Sequence, residues 1–419
     1  MNTDPRGTGT RDLAMTGPAK PTDRSSIRRT NLGMVLRLLR DSGARSRARI
    51  ATETGLPKAT VSSLIGELVE LGLVREGTVE RDGAVGRPGH AVEVDGRSVC
   101  GIGVEINVDY LSVIALDLRG DVAAERRIAV DVRAAEPEAV LDSAAQLVRE
   151  TIDALLARGI RTVGVTLAAP GVIDMKREVV SYAANIGWRE VAVSAGLRAR
   201  LGRSAPPIHL ENDAKLGAIA EYLVASASDI HELLYLTGET GVGAGIIANG
   251  RLLRGIAGFA GEVGHMPMDP SGQLCSCGRR GCWETMVGLA ALLRFAAEPD
   301  DPVCDPSVDL ERRLTELLRR AAAGDARTLT ALDRIAAGLG PGVALLVDLL
   351  NPRLVVLGGH FAHFGDYLID TVTREVHERV MASDAGGCEI VLSTLGFTAA
   401  ARGGALLALD AVYADPSGI

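Results

Sequence analysis

The chain has 419 residues, enough for two or three domains, and is 47% hydrophobic and 23% charged, as is typical of a globular protein with a large core. The net charge is −8, but residues 1–99 carry 16 basic and 12 acidic side chains, a net of +4, which indicates a polyanionic partner. No uninterrupted apolar run reaches membrane-spanning length and no apolar signal core is seen, so we expect a cytoplasmic protein with reduced cysteines and no membrane partner.

The amino-terminal part is predicted to be a tail followed by three helices. Residues 1–24 are rich in Gly, Pro, Thr and charge, which predicts a disordered tail. Apolar residues at helical spacing predict a first helix that stops at residues 41–43. Ser46 is the expected N-cap of a second helix, Gly55 makes a turn, and Pro57 opens a third helix. This arrangement is typical of a helix-turn-helix.

The third helix has one apolar face and one face of small residues. Its predicted core positions are Val61, Leu64, Ile65 and Leu68. Ala59, Ser62 and Ser63 point the other way, and small residues there would let the helix lie deep in a major groove. Lys58 and Thr60 lie at the start of the helix, where recognition helices meet base edges and phosphates. These five residues are therefore the predicted DNA contacts of the helix.

Two β-like runs follow around Asp82-Gly83, a hairpin signal that predicts a wing. Arg87, stiffened by the proline after it, suits insertion into a narrow minor groove, although a plain linker residue is the alternative. Residues 25–97 are thus predicted to form a winged helix-turn-helix that binds operator DNA. Nine basic and two acidic residues between positions 24 and 58 favour this over a solvated helical bundle docked on the rest of the protein.

Residues 98–419 mix strands and helices throughout, which indicates an α/β class. β-branched and apolar runs predict strands from Val99 to about residue 130, and again at VGVTLAAPG, IHLEN, LLYLTG and LVVLGG. Residues 136–158 are predicted to be a helix. Asn212-Asp213 lies at a strand–helix junction, where a helix N-cap is the simplest interpretation of the pair taken alone.

Residues 258–284 contain four metal-ligand side chains in the pattern His-x9-Cys-x-Cys-x4-Cys, namely His265, Cys275, Cys277 and Cys282. Three thiolates and one imidazole match a closed, tetrahedral structural zinc site. Four unrelated buried residues are the alternative, but three of the six cysteines fall within eight positions behind a histidine, which favours Zn²⁺. Glu262 and Glu284 flank the ligands, and a structural site does not need them. They indicate that the zinc loop also shapes a polar pocket.

The same stretch resembles the signature of the ROK family (repressors, open reading frames and sugar kinases), G-x-x-G-E-x-G-H followed by C-x-C-G-x-x-G-C-x-E, at every fixed position. The resemblance extends from about Cys100 onward and implies two lobes of the actin and hexokinase type with a sugar cleft between them. The sugar-binding positions that it implies are Gly171, Asn185, Asn212, Asp213, Glu262, His265 and Glu284. The amino-terminal part resembles the winged domain of the family's repressors. In the family's kinases the aspartate that Asp213 matches is the general base.

The phosphate loops of those kinases are altered here. They have D-x-G-G-T-K at the first strand pair, whereas this chain has EINVDY at residues 105–110, so that both glycines and the lysine are lost. Asp109 is expected to repel a triphosphate, and Glu239 replaces the first glycine of the second loop. A phosphate site needs exposed backbone N–H groups and no competing negative charge. We therefore predict no enzyme activity, with Asp213 as the vestigial base position.

These observations predict a sugar-responsive transcriptional regulator of the repressor type. Its partners would be operator DNA and a small sugar or sugar phosphate, and it would act as a homodimer or homotetramer that matches a two-fold operator. One alternative is an ATP-dependent sugar kinase with an accessory domain, which the altered loops disfavour. A constitutive DNA-binding protein with a vestigial cleft is another, and the intact set of sugar positions disfavours it.

Overall fold

The computed structural model describes residues 24–80, 89–225, 230–381 and 387–419. Three sequence predictions lie outside the described residues: the disordered tail up to residue 23, the hairpin turn at Asp82-Gly83, and the minor-groove role of Arg87.

The amino-terminal part combines three helices with a three-stranded antiparallel sheet. Its elements are α1 (Arg24–Ser42), β1 (Arg45–Ser46), α2 (Arg47–Thr54), α3 (Lys58–Glu70), β2 (Val74–Glu80) and β3 (Gly89–Val94), with the strand order β1-β3-β2. The Ser46 hydroxyl accepts a hydrogen bond from the Arg49 N–H at 3.3 Å, and Gly55 ends α2 with φ of 72°, so both predicted boundaries of α2 are confirmed. Helix α3 begins one residue later than predicted, because Pro57 has the extended ψ of 141°.

The first lobe is built on a five-stranded sheet. Its elements are β4 (Val99–Ile106), β5 (Tyr110–Asp117), β6 (Val122–Ala129), α4 (Pro137–Leu156), β7 (Arg161–Ala169), β8 (Val172–Asp174), β9 (Val179–Ala183), β10 (Trp188–Val191), α5 (Val193–Leu201), β11 (Ile208–Asn212) and α6 (Asp213–Val224). The sheet order is β11-β7-β4-β5-β6, and β8 to β10 form a separate small antiparallel sheet. Helix α4 matches the predicted helix, whereas the small sheet was not predicted.

The second lobe repeats this arrangement. Its elements are β12 (Leu233–Gly238), β13 (Val242–Ala248), β14 (Arg251–Leu252), α7 (Glu284–Val287), α8 (Leu289–Ala296), α9 (Leu310–Ala322), α10 (Ala326–Leu350), β15 (Leu354–Gly359), α11 (His360–His363), α12 (Gly365–Arg379) and β16 (Glu389–Leu392). The last helix, α13 (Ala399–Ala414), packs on β4 and β7 of the first lobe, and α6 packs on β12 and β13 of the second. The order is β14-β13-β12-β15-β16. In each lobe, one strand (β4 or β12) pairs antiparallel with its successor and parallel with a later strand. The carboxyl ends of these parallel strands are where an α/β fold places its ligands.

Helix α13 connects the cleft side of the protein to the amino-terminal helices. A Cβ on Gly403 would lie 1.9 Å from the Leu216 carbonyl oxygen, so α13 and α6 touch through their backbones. On its other side, a Cβ on Gly33 of α1 would lie 2.3 Å from the Tyr413 carbonyl oxygen of α13. Helices α1 to α3 also share one buried apolar cluster with β5 and α13. Helices α6, α13 and α1 therefore form a continuous chain of direct contacts.

Helix α10 is the one described helix long and apolar enough to cross a membrane by length and composition. Of its most apolar 18-residue stretch, 61% is buried inside the protein, against the apolar core of the second lobe. Buried core helices meet the same criterion, so α10 carries little weight as evidence for a membrane segment.

Candidate functional site

A cleft opens between the lobes, where the strands β4, β7, β11 and β12 end. All seven sugar positions expected from the sequence line it: Gly171, Asn185, Asn212, Asp213, Glu262, His265 and Glu284. They come from both lobes and from the loop at residues 258–284, although they are spread over more than a hundred positions of the chain. The fold thus brings this set together at one surface, while the contacts of each residue with a sugar stay a prediction.

Asn212 and Asp213 combine a structural role with a place in the cleft. The Asn212 Oδ1 accepts a hydrogen bond from the Lys215 N–H at 3.0 Å, so Asn212 is the N-cap of α6. Its Nδ2 donates to the carbonyl of Gly171 at 3.1 Å, which ties β11 to the turn after β7. Asp213 is the first residue of α6, and burial raises the pKa of its carboxyl group. The cap and the cleft interpretations of this pair are therefore compatible.

A buried lysine fixes the loop at residues 258–284 to α6. The Lys215 Nζ donates to the Gly258 carbonyl at 2.6 Å, and only 2% of this residue is exposed. Burial lowers the pKa of Lys215, and burial also raises the pKa of Glu262 farther along the loop. The loop therefore presents Glu262 to the cleft from a position held by α6.

The four predicted metal ligands lie together. The ligand atoms of His265, Cys275, Cys277 and Cys282 are all within 4.8 Å of one another. The sulfur atoms of Cys277 and Cys282 are 3.6 Å apart, as are the Cys275 sulfur and the His265 Nδ1. Two thiolates at 2.3 Å from one tetrahedral zinc ion would lie about 3.8 Å apart. The donor set and its spacing therefore fit a single ion of this kind.

The metal cluster and the cleft share side chains. The Cys275 thiol donates to the Glu284 carboxylate at 2.9 Å, and the Ser276 hydroxyl donates to the Asn185 Oδ1 at 2.8 Å. His265 belongs to both sets. Ser276, between two ligands, also donates to Glu284 at 3.4 Å, so a change in the cluster would displace Glu284, Asn185 and His265 together. Ser276 was not among the sequence-predicted residues, because a serine between two cysteine ligands has no distinctive pattern.

The end of the cleft nearest β4 and β12 is closed by a side-chain bridge that sequence reasoning missed. The Asn107 Nδ2 donates to Glu105 Oε1 at 3.1 Å and also to Glu239 Oε2, and so joins the two lobes. Burial raises the pKa of Glu105 to about 7 and the pKa of Glu239 well above its usual value. The Asn107 Oδ1 accepts the backbone N–H of Val108 at 2.7 Å, and the Asn107 N–H donates to the Tyr110 carbonyl at 3.0 Å. The N–H donors of the turn after β4 are therefore bound to acceptors within the turn itself.

Asp109 does not act as expected. It forms an ion pair with Arg313 of α9 at 3.2 Å, and the two residues are only 8% and 3% exposed. Neither Asp109 nor Tyr110 lines the cleft. The Tyr110 hydroxyl donates a hydrogen bond to Glu105 at 2.7 Å, and the centre of the Tyr110 ring lies 3.8 Å from the Arg127 guanidinium. The expected repulsion of a triphosphate by Asp109 is wrong, because Arg313 compensates the charge of Asp109 away from the cleft.

The predicted face of α3 is exposed. Lys58, Ala59, Ser62 and Ser63 are exposed and Thr60 is half-buried. The opposite face is fully buried and consists of Val61, Leu64, Ile65 and Leu68. Ser63 also accepts a hydrogen bond from the Arg28 guanidinium of α1 at 3.2 Å, so α1 holds the first two turns of α3 in place.

Comparisons with known proteins agree with this architecture. Residues 101–411 match the ROK family, and residues 30–77 match the IclR helix-turn-helix domain. The xylose repressor of Bacillus spizizenii is 28% identical over 91% of this chain and 95% of its own length. A glucokinase of Halalkalibacterium halodurans is 34% identical over 58% of this chain and 76% of its own length.

Among solved structures, a ROK family transcriptional regulator that is a homologue of the Escherichia coli MLC protein aligns with a TM-score of 0.73. It is 24% identical, and the alignment covers 93% of this chain and 97% of that one. This likeness concerns the fold, and it covers more of this chain than the 74% that a ROK family glucokinase structure from Streptomyces griseus covers. Because the ROK profile matches 101–411, well over half of the sequence, the chain belongs to the ROK family.

Proposed function

We propose that this protein is a sugar-responsive transcriptional regulator of the repressor type, which binds operator DNA through its winged helix and a sugar in the cleft. One observation carries the proposal: the helix that begins at Asp213 in the cleft touches α13, and α13 touches α1, whose Arg28 donates a hydrogen bond to Ser63 on the exposed face of α3. The similarity to a xylose repressor over 91% of the chain supports it. In domain terms, residues 25–97 would bind DNA and residues 98–419 would sense the sugar, in a homodimer or homotetramer in the cytoplasm.

Zn²⁺ is the metal that we propose for His265, Cys275, Cys277 and Cys282. With four protein ligands the ion would have no open coordination position, so its role would be structural. The chain's own residues then do the recognition: carboxylates and amides of the cleft accept and donate hydrogen bonds to sugar hydroxyls. A sugar acts on DNA binding only as far as it favours one arrangement of the lobes over the other.

Replacing Lys58 or Ser62 by alanine is expected to weaken operator binding by about 1–3 kcal/mol where the side chain reads a base edge. Both residues are exposed and neither belongs to the buried face of α3, so the substitutions should leave the fold intact. The measurement is operator affinity by fluorescence anisotropy at fixed salt, because phosphate contacts make affinity salt-dependent. Lys176→Ala, an exposed lysine in the first lobe, is the matched control. Full operator affinity in a chain that lacks residues 1–97 would refute the assignment.

Replacing Asp213 or Glu262 by alanine is expected to give a regulator that binds its operator but no longer responds to the effector sugar. Each change removes a carboxyl group that lines the cleft and lies outside the winged part. The measurement compares operator affinity with and without sugar, and Asp366→Ala, an exposed acidic residue of α12, is the control. A folded Asp213→Ala protein that binds no operator at any sugar concentration would contradict the separation of the two sites.

A further inference from the structure

The cleft is acidic on all sides. Four carboxyl groups line it: Asp213, Glu239, Glu262 and Glu284. Among the described lining residues none is a lysine or an arginine, and His265 is the one basic side chain, already placed among the metal ligands. Lys215 lies outside the set of lining residues, with its Nζ bound to the Gly258 carbonyl. A ligand in this cleft would therefore meet acceptors and carboxyl groups, with no cation to balance a negative charge of its own.

Four hydrogen-bond donors at one end of this cleft are bound within the protein, around the Asn107–Glu239 bridge. Anion sites in proteins use backbone N–H groups at turns and helix ends. Here the Val108 N–H is bound to the Asn107 Oδ1, the Asn107 N–H to the Tyr110 carbonyl, and the Asn107 Nδ2 to two carboxyl groups. In the second loop the Glu239 N–H is bound to the Gly241 carbonyl at 2.9 Å. These four donors are thus occupied before any ligand arrives.

Asp213 lies next to this bridge and helps to define the same end of the cleft. Its charge raises the pKa values of both Glu105 and Glu239, although burial is the larger cause, and Asp213 and Glu239 line the same cleft. A neutral hydroxyl group can donate to any of these oxygens. A phosphate group has no donor to offer at neutral pH beyond a single titrating proton, and it would be surrounded by acceptors.

Resting on the proposed sugar-sensing function, we propose that Asn107 and Glu239 are specificity-determining residues, which restrict the effector to a sugar that carries no phosphate. The bridge occupies the space and the donors that a phosphate group would need, and Asp213 adds a like charge beside it. The regulator would therefore respond to an imported or released free sugar, before a kinase phosphorylates it.

The test is calorimetry on the full chain with D-xylose, D-glucose and N-acetyl-D-glucosamine, and with xylose 5-phosphate, glucose 6-phosphate and N-acetylglucosamine 6-phosphate. We expect at least one free sugar to bind, and its phosphate to bind at least about 100-fold more weakly, as one uncompensated like charge at close range would produce. Glu239→Gln keeps the shape of the side chain and adds two N–H donors. It should therefore lower the ratio of free-sugar affinity to sugar-phosphate affinity at least about tenfold. Glu262→Gln, in the same cleft but away from the bridge, should weaken the binding of both the free sugar and its phosphate. The ratio of their affinities should stay unchanged.

The outcomes separate this inference from the proposed function. A wild-type protein that binds a sugar phosphate as tightly as the free sugar overturns the inference and leaves a sugar-sensing regulator standing. An unchanged ratio in Glu239→Gln, in a protein that still binds the free sugar, removes Glu239 from the specificity role. Binding of neither kind of probe, together with an operator affinity that no sugar alters, overturns the proposed effector site and this inference with it.

Discussion

Replacing Cys277 by serine is expected to remove about one equivalent of zinc per chain and to lower both the thermal stability and the response to sugar. The reason lies in the shared side chains: Ser276, between two ligands, donates to Asn185 and Glu284, and His265 belongs to the cluster and the cleft. Loss of the ion would release three thiol groups and an imidazole that otherwise fix a loop of 27 residues. The measurements are metal content by mass spectrometry, Tm with and without chelator, and sugar affinity by calorimetry.

Cys304→Ser is the matched control for this experiment. Cys304 is half-buried, like Cys277, and lies outside the four-ligand cluster. Its substitution should keep the metal and the sugar affinity of the wild-type protein. A wild-type protein that is stable and fully responsive to sugar without any bound metal would show that the cluster is four reduced side chains without a structural ion.

The parts of the site that depend on local pattern could be predicted from sequence. The cysteine spacing predicted a cluster, and its ligand atoms lie together. Ser46 and Gly55 have strong intrinsic preferences for the N-cap and the left-handed turn, so the ends of α2 were also predictable. The seven cleft positions came from resemblance to the ROK family, since nothing local to Gly171 or Asn185 indicates that they line the same cleft as Glu284.

The parts that depend on long-range contacts could not be predicted. Asp109 was expected to repel a triphosphate, but its partner Arg313 lies 204 positions later, so the pair arises only when the lobes fold together. In the same way Asn107 meets Glu239 across the two lobes. The small sheet β8–β10 was missed because its strands have only three to five residues, too short for a clear alternating pattern.

We also expect no sugar-dependent ATP turnover, although Asp213 occupies the position of the family's base. Phosphoryl transfer depends on positioning and on charge stabilisation of the nucleotide. In this cleft the N–H groups of Asn107, Val108 and Glu239 are bound to other groups of the protein. Each missing hydrogen bond to a charged phosphate would cost about 1.5–3 kcal/mol. Three of them approach the roughly 8 kcal/mol of a micromolar nucleotide complex, so ATP affinity should be lost almost entirely.

The measurement is ATP binding by calorimetry and a coupled kinase assay with the sugars that bind the wild-type protein. The double change Asn107→Gly with Glu239→Gly restores glycine at two of the altered positions and frees the Val108 N–H, so it should raise ATP affinity above that of the wild-type protein. If steric contacts and occupied donors exclude ATP, the double variant should bind ATP more tightly. If the charge of Asp109 excludes ATP, the ATP affinity should not change, because Asp109 stays paired with Arg313 in the variant. Sugar-dependent turnover by the wild-type protein at about 1–10³ s⁻¹, abolished by Asp213→Asn, would instead establish a kinase with an accessory DNA-binding domain.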